Sequence, residues 1–152
     1  MISVVIPVYK KVDEFITNLG HNLRYLKGCE VIVVNDHPGE SIKERLEKYP
    51  VQLIENSTNL GFAGAIDKGI RQAKHNYVFL LNSDVKLQDA SFASSLKKFE
   101  QNTKIFGIAF AQKEGNGSTV GKNKLLWKNG LLMHSKADDL CEGETGWVEG
   151  VS

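Results

Sequence analysis

Ile2-Ser3-Val4-Val5-Ile6-Pro7-Val8-Tyr9 decides the fold. Apart from Ser3 the run is apolar as far as Tyr9 and rich in β-branched residues. It shows no alternation of wet and dry positions. That is the pattern of a strand buried on both faces, which belongs in a parallel sheet with helices above and below it.

Working outward, Phe15, Leu19, Leu23 and Leu26 recur at helical spacing. They predict an amphipathic helix of about four turns, stopped at Gly28. Val31-Ile32-Val33-Val34 reads as a second buried strand, ending at Asn35-Asp36. Pro38-Gly39 breaks the chain, and Ile42 and Leu46 mark a short helix. Val51-Gln52-Leu53-Ile54 is a third strand. A helix over about 63–74 carries Ile66, Ile70 and Ala73 on one side, and Tyr77-Val78-Phe79-Leu80-Leu81 is a fourth strand. Asp89 suits the N-cap of a helix with Phe92, Leu96 and Phe99 inward. Residues 105–111 are apolar enough for a fifth strand. The rhythm of strand and helix predicts an α/β fold, a mainly parallel sheet with helices on both faces.

After Ala111 the composition changes. Residues 112–124 are rich in Gly, Lys and Asn and carry no core pattern. Trp127-Lys128-Asn129-Gly130-Leu131 reads as a β-hairpin, because Asn-Gly suits a type I′ turn. Residues 136–146 form a polar, partly acidic stretch, and Trp147-Val148-Glu149-Gly150-Val151-Ser152 looks like the start of another element. The expected organisation is a core over 1–111 and an incomplete region over 112–152, within one structural domain.

The totals narrow the classes. The 152 residues suffice for a core, and the 41% hydrophobic and 24% charged shares are those of an ordinary globular chain. A net charge of +1 gives no field favouring nucleic acid or an anionic membrane. Cys29 and Cys141 are too few for a disulfide framework or a zinc site, so a reducing compartment is expected. No apolar run approaches the roughly 20 residues of a membrane span, and Met1-Ile2-Ser3-Val4 lacks the basic start of a signal peptide. The N-terminus reads as a domain start. The expected location is cytoplasmic, with room for peripheral association at the inner face of the membrane.

In open parallel sheets, ligands bind beyond the carboxyl ends of the strands. The first strand delivers Pro7, Val8 and Tyr9 there, the second Asn35 and Asp36, and the fourth Asn82, Ser83 and Asp84. Asn59, Gly61 and Gly64 precede or open the third long helix. These polar groups collect on one rim, as a nucleotide site requires. A hard cation such as Mg²⁺ or Mn²⁺ commonly takes one or two carboxylates and fills its remaining positions with phosphate oxygens and water. Asp84 could supply one; position alone leaves that reading level with a strand-ending turn. Asp36 could accept from a base N–H and Tyr9 could stack on a base, or they could be turn and rim residues. Asn59-Leu60-Gly61-Phe62-Ala63-Gly64 could bring backbone amides to a phosphate, or could simply cap a helix. It fits neither G-x-G-x-x-G nor the P-loop pattern.

Four segments in order then carry a resemblance. They are Val4-Val5-Ile6-Pro7-Val8-Tyr9, Val33-Val34-Asn35-Asp36, Asn59-Leu60-Gly61-Phe62-Ala63-Gly64-Ala65 with Gly69-Ile70, and Leu80-Leu81-Asn82-Ser83-Asp84-Val85. Together they resemble the donor-binding half of family 2 glycosyltransferases of the GT-A fold, nearest in flavour to rhamnosyl- and N-acetylhexosaminyl-transferases of surface polysaccharides. The resemblance implies that Pro7, Val8 and Tyr9 line a nucleotide pocket and that Asp36 contacts uracil or thymine. It puts Asp67 beside the donor and makes Asn82-Ser83-Asp84 the D-x-D element, with Asp84 the ligand of Mg²⁺ or Mn²⁺. It further implies metal-assisted, inverting transfer from a UDP- or dTDP-sugar to a glycan or lipid-linked acceptor, and a general base beyond Ser152, so that the chain stops short of a whole transferase. Glu149 could border the acceptor side.

Three departures bear on the donor. Asn82 stands where the first D-x-D carboxylate is usual, Ile66 where an Arg is frequent, and His37-Pro38 where Gly-Ser is commoner. Two other readings compete: a nucleotide-sugar-binding module without turnover, and a sugar nucleotidyltransferase. The second expects a Gly-rich basic loop soon after the first strand, whereas no glycine occurs before Gly20.

Overall fold

The computed structural model describes residues 1–137, 143 and 145. Cys141 and the segment 147–152, Glu149 included, lie outside the described residues. Two compact units divide between Ala93 and Ser94.

In the first unit, strands β1 (Ile2–Val8), β2 (Glu30–Asn35), β3 (Gln52–Glu55) and β4 (Tyr77–Leu80) form one sheet in the order β3-β2-β1-β4. Every pairing is parallel, with Val5 opposite Ile32 on one side and Leu80 on the other. All seven residues of β1 are buried, as the unbroken apolar run requires. Helix α1 spans Val12–Asn22, α2 Lys43–Leu46 and α3 Gly61–Gln72. The first is about one turn shorter than its apolar spacing suggests. It gives way to turns after Asn22, and Gly28 then takes a left-handed φ of 80°.

The α3 face of the sheet is packed closely. Val5, Ile32, Val34 and Ala65 are fully buried there, with Ile54, Ala73 and Val78 against them. Gly69 brings α3 down onto the strands: a Cβ at this position would overlap Val5 Cγ1 and lie 3.1 Å from Val34 Cγ2. The alternate residues Val4, Ile6, Val31 and Val33 are also buried, and Phe92 stacks on Phe79 at 4.7 Å between ring centroids. The central strands β1 and β2 are therefore dry on both faces, as the middle of a parallel sheet demands.

At the amino end of the sheet a polar knot ties three segments. Ser3, fully buried, donates its hydroxyl to Glu30 Oε2 at 2.6 Å and accepts from the His75 amide at 3.2 Å. The Lys74 amide donates to the same Glu30 oxygen at 2.9 Å, and the Lys74 ammonium lies 3.4 Å from Oε1. The Ser3 hydroxyl first, and then the Lys74 amide, hold the Glu30 carboxyl below the ordinary glutamate value.

The second unit contains α4 (Leu96–Gln101), which follows a 3₁₀ turn over Ser91–Ser95, and two hairpins. Strands β7 (Asn123–Lys128) and β8 (Leu131–Lys136) pair antiparallel around Asn129-Gly130, both at positive φ (55° and 77°), as the type I′ reading expects. The first hairpin, β5 (Gln112–Lys113) with β6 (Thr119–Val120), falls where the sequence carries no strand pattern. Its strands are two residues long and it is closed by turn bonds, Asn116 Oδ1 accepting from the Ser118 amide at 2.8 Å. Residues 105–111 form no strand: they join no ladder, and Phe106 is almost fully exposed. An apolar run becomes a strand only where a partner completes its hydrogen bonds.

The packing makes two helical glycines respond oppositely to the same substitution. Gly69→Ala gains about 1 kcal/mol of helix propensity but forces a methyl between two fully buried valines, an overpacking cost of about 1–3 kcal/mol. A lower melting temperature is expected. Gly20→Ala in α1 meets only the Tyr49 hydroxyl at an ordinary 3.6 Å and should raise it by about 2–4 °C. The Glu30 carboxyl is depressed when folded, so its stabilisation is complete above the ordinary value of 4.5 and is lost as pH falls through the lower folded value. Urea melts of wild type and Glu30→Gln should therefore differ at pH 7 and converge in acid.

Candidate functional site

Strand order reverses between β1 and β4: β2 and β3 are added on one side of β1, then the chain crosses to its other side for β4. Ligands of open α/β sheets bind in the crevice at such a switch, at the carboxyl ends. A cleft of about 410 Å³ lies there.

Its lining joins the ends of three strands and the start of α3. Pro7, Val8 and Tyr9 come from β1, Asp36 from the end of β2, and Asn82, Ser83 and Asp84 from the end of β4, with Asn59 and Gly61 from the approach to α3. All the residues expected beside the donor are thus in one cleft except Asp67. That carboxylate is on α3 outside the lining and pairs with Arg71 at 2.8 Å.

Asp36 is almost wholly buried and belongs to a network. Its Oδ1 accepts from Asn56 Nδ2 at 2.8 Å and from the Leu60 amide at 2.9 Å, and Lys68 Nζ donates to Asn56 Oδ1 at 2.7 Å. Asn59 Oδ1 accepts from the Gly61 amide at 2.8 Å, and Gly61 takes a φ of 70° that favours glycine. The Leu60 and Gly61 amides are therefore occupied by side-chain oxygens, so that part of the glycine-rich turn is a cap. Asn35 fixes the next loop, donating to the Glu40 carbonyl at 2.7 Å and accepting from the His37 amide at 3.1 Å.

Tyr9 is half-exposed, with His37 edge-on at 5.5 Å and the Lys10 ammonium 5.0 Å from its ring centre. Lys10 and Lys11 both adopt left-handed φ (60° and 47°), turning the chain sharply from β1 into α1. Asp84 differs from Asp36 in burial and in partners. It is exposed on the cleft and has no hydrogen bond or ion pair among the described residues. No group of three His, Cys, Asp or Glu side chains is gathered for a metal among those residues. The donor set fits a hard cation that takes one protein carboxylate and completes its shell from a bound diphosphate and water.

Sequence reasoning missed Asn56, Lys68, Phe62 and Ala65. Asn56 succeeds β3 as Asp36 succeeds β2, so the strand-end rule was the available signal. Phe62 and Ala65 line the cleft, Phe62 half-exposed; their place one turn apart at the head of α3 was the signal for them.

The fold and the place of the cleft define an open α/β domain that receives its ligand at the strand ends. The chain belongs to glycosyl transferase family 2, whose sequence model matches residues 3–145. A poly-β-1,6-N-acetyl-D-glucosamine synthase of Staphylococcus epidermidis is 24% identical over 127 residues, 80% of this chain and 31% of the relative. The amylovoran biosynthesis glycosyltransferase AmsB of Erwinia amylovora is 31% identical over 107 residues, 65% of this chain and 36% of AmsB. This chain therefore spans about a third of the length of these relatives. Among solved structures, a Pyrobaculum calidifontis mannosyltransferase in complex with GDP-Man and Mn²⁺ shares the fold at a TM-score of 0.56 and 19% identity, over 68% of this chain and 33% of that one. S. aureus TarS 1-349 does so at 0.55 and 21%, over 74% and 38%.

Asn56→Ala should remove a buried donor from Asp36 and an acceptor from Lys68. A loss of about 1–3 kcal/mol is expected in urea unfolding, more than for Asn59→Ala at the exposed cap.

Proposed function

We propose that this chain binds the donor of an inverting glycosyltransferase that moves a sugar from a UDP- or dTDP-sugar to a glycan or lipid-linked acceptor with Mg²⁺ or Mn²⁺. The observation that carries the reading is the joining of Asp36, Tyr9 and the Asn82-Ser83-Asp84 turn in one cleft at the switch point. Membership of glycosyl transferase family 2 supports it, and the neighbour's complex with GDP-Man and Mn²⁺ supports its nucleotide-sugar and divalent-metal parts, though not the base.

In this reading Asp36, held rigid by Asn56 and Leu60, receives a base N–H, and Tyr9 or Phe62 supplies an aromatic surface for the ring. Asp84, with no protein partner among the described residues, holds the cation. A divalent ion bound there supplies charge neutralisation for a departing diphosphate. Transfer then makes a bond from the acceptor hydroxyl oxygen to the anomeric carbon and breaks the bond from that carbon to the diphosphate, while a general base takes the hydroxyl proton. The cleft's described lining has two carboxylates, one engaged with Asn56 and Leu60 and one assigned to the cation. Neither is left for the base, which favours a second reading, donor binding without turnover, for these residues taken alone. Among the described residues no helix is long and apolar enough to cross a membrane; a lipid-linked acceptor would be met at the membrane surface from the cytoplasmic side.

Melting curves with UDP, dTDP or GDP, each with and without Mn²⁺, test the reading. A rise is expected with UDP or dTDP and Mn²⁺ together, and Asp84→Ala should abolish the metal-dependent part. An equal rise without metal, or in the variant, would refute the metal site; a preference for GDP would refute the base assignment. Release of free sugar from a donor separates turnover from binding alone.

A further inference from the structure

We propose that α1 is the positioning element for the Asp84 carboxylate, acting through Asn18 and Asn22 with His21 in support; the inference rests on the metal role proposed for Asp84. Three side chains on one face of α1 bind backbone groups of alternate residues, Ser83, Val85 and Leu87, in the strand-end loop. Asn18 Nδ2 donates to the Ser83 carbonyl at 3.0 Å. Asn22 Nδ2 donates to the Val85 carbonyl at 2.8 Å, and its Oδ1 accepts from the Leu87 amide at 2.9 Å. His21 Nε2 donates to the Leu87 carbonyl at 2.9 Å. Positions 18, 21 and 22 share a helix face by their spacing, and together they reach across the Asn82–Val85 turn and the loop that follows it.

Asp84 sits between two of the clamped peptides. Beyond the bond from the Leu81 amide to the Val5 carbonyl, the loop has left the sheet, and the Val85 amide bond to the Asn82 carbonyl at 3.2 Å closes only a local turn. Nothing in β4 itself therefore fixes the direction of the Asp84 side chain. Asn18 and Asn22 are 3% and 2% exposed, and a buried amide is tolerated only where it is hydrogen-bonded. The amides are accounted for by the carbonyls and amide they satisfy. A carboxylate that must meet a cation with little help from other protein ligands gains most from such prior fixing, because it need not be ordered when the ion arrives.

The test titrates Mn²⁺ in the presence of saturating UDP, following water-proton relaxation, for wild type, Asp84→Ala, Asn18→Ala, Asn22→Ala and Thr17→Ala. Val31→Ala, at the far end of β2, serves as a destabilised control. Both Asn variants should bind Mn²⁺ about 5- to 10-fold more weakly than wild type, the worth of one or two hydrogen bonds, with metal-free UDP binding unchanged. Hydrogen exchange should quicken over residues 83–87 in both. Thr17→Ala, whose hydroxyl among the described residues bonds only the Asp13 carbonyl of its own helix, should match wild type, and Val31→Ala should melt earlier yet bind Mn²⁺ normally. Wild-type Mn²⁺ affinity in the Asn variants, or an equal loss in Val31→Ala, overturns the positioning role while leaving the metal site intact. Wild-type binding no stronger than that of Asp84→Ala overturns the metal reading and this inference with it.

Discussion

The structure depends on β1 being buried along its whole length. A strand with no wet face and no free edge must have its amides and carbonyls paired on both sides, because an unpaired buried peptide group costs as much as a lost hydrogen bond. Strands β2 and β4 satisfy that need, both parallel to β1. With β3 already outside β2, the chain has one open place beside β1, on the opposite edge, and reaching it requires the crossover through α3. The reversal of strand order and the cleft above it are consequences of pairing β1 twice.

Where the ladders end, side-chain amides take over. Asn18, Asn22, Asn35 and Asn56 are all buried near strand ends or the loops that leave them, and all bond backbone or Asp36. The rim thereby keeps fixed loop conformations without extending the sheet. Buried polar groups are stabilising only when partnered, and here most of the partners belong to segments far away in sequence. That gives each rim loop one defined conformation, which a concave binding surface needs more than it needs extra stability.

The difference between what sequence did and did not reveal tracks the range of the interactions. Strands β1 and β2 were legible because burial on both faces leaves unbroken apolar runs, β3 and β4 from shorter apolar runs, and the Asn129-Gly130 hairpin because its turn chemistry is local. The rim residues Pro7, Tyr9, Asp36 and Asn82 to Asp84 were legible because they stand at the carboxyl ends of those runs. The amide face of α1 was not, since Asn18 is 65 positions from Ser83 and helical spacing records only the apolar stripe. Residues 105–111 misled for the same reason in reverse: their composition suits a strand, but composition carries no information about whether a partner is present.

Asp36 and Asp84 show how far the strand-end rule reaches. Both succeed an apolar strand, both reach the same cleft, and local sequence treats them alike. Asp36 is buried and already accepts two hydrogen bonds at one oxygen, so its position is fixed by the protein. A cation at that oxygen would have to displace both donors and leave the Leu60 amide and Asn56 unsatisfied. Asp84 is exposed and bonds nothing among the described residues, so a cation there displaces only water. The rigid carboxylate suits directional recognition of a neutral base edge; the open one suits a charge that brings its own ligands. The division of labour comes from what each oxygen would have to give up.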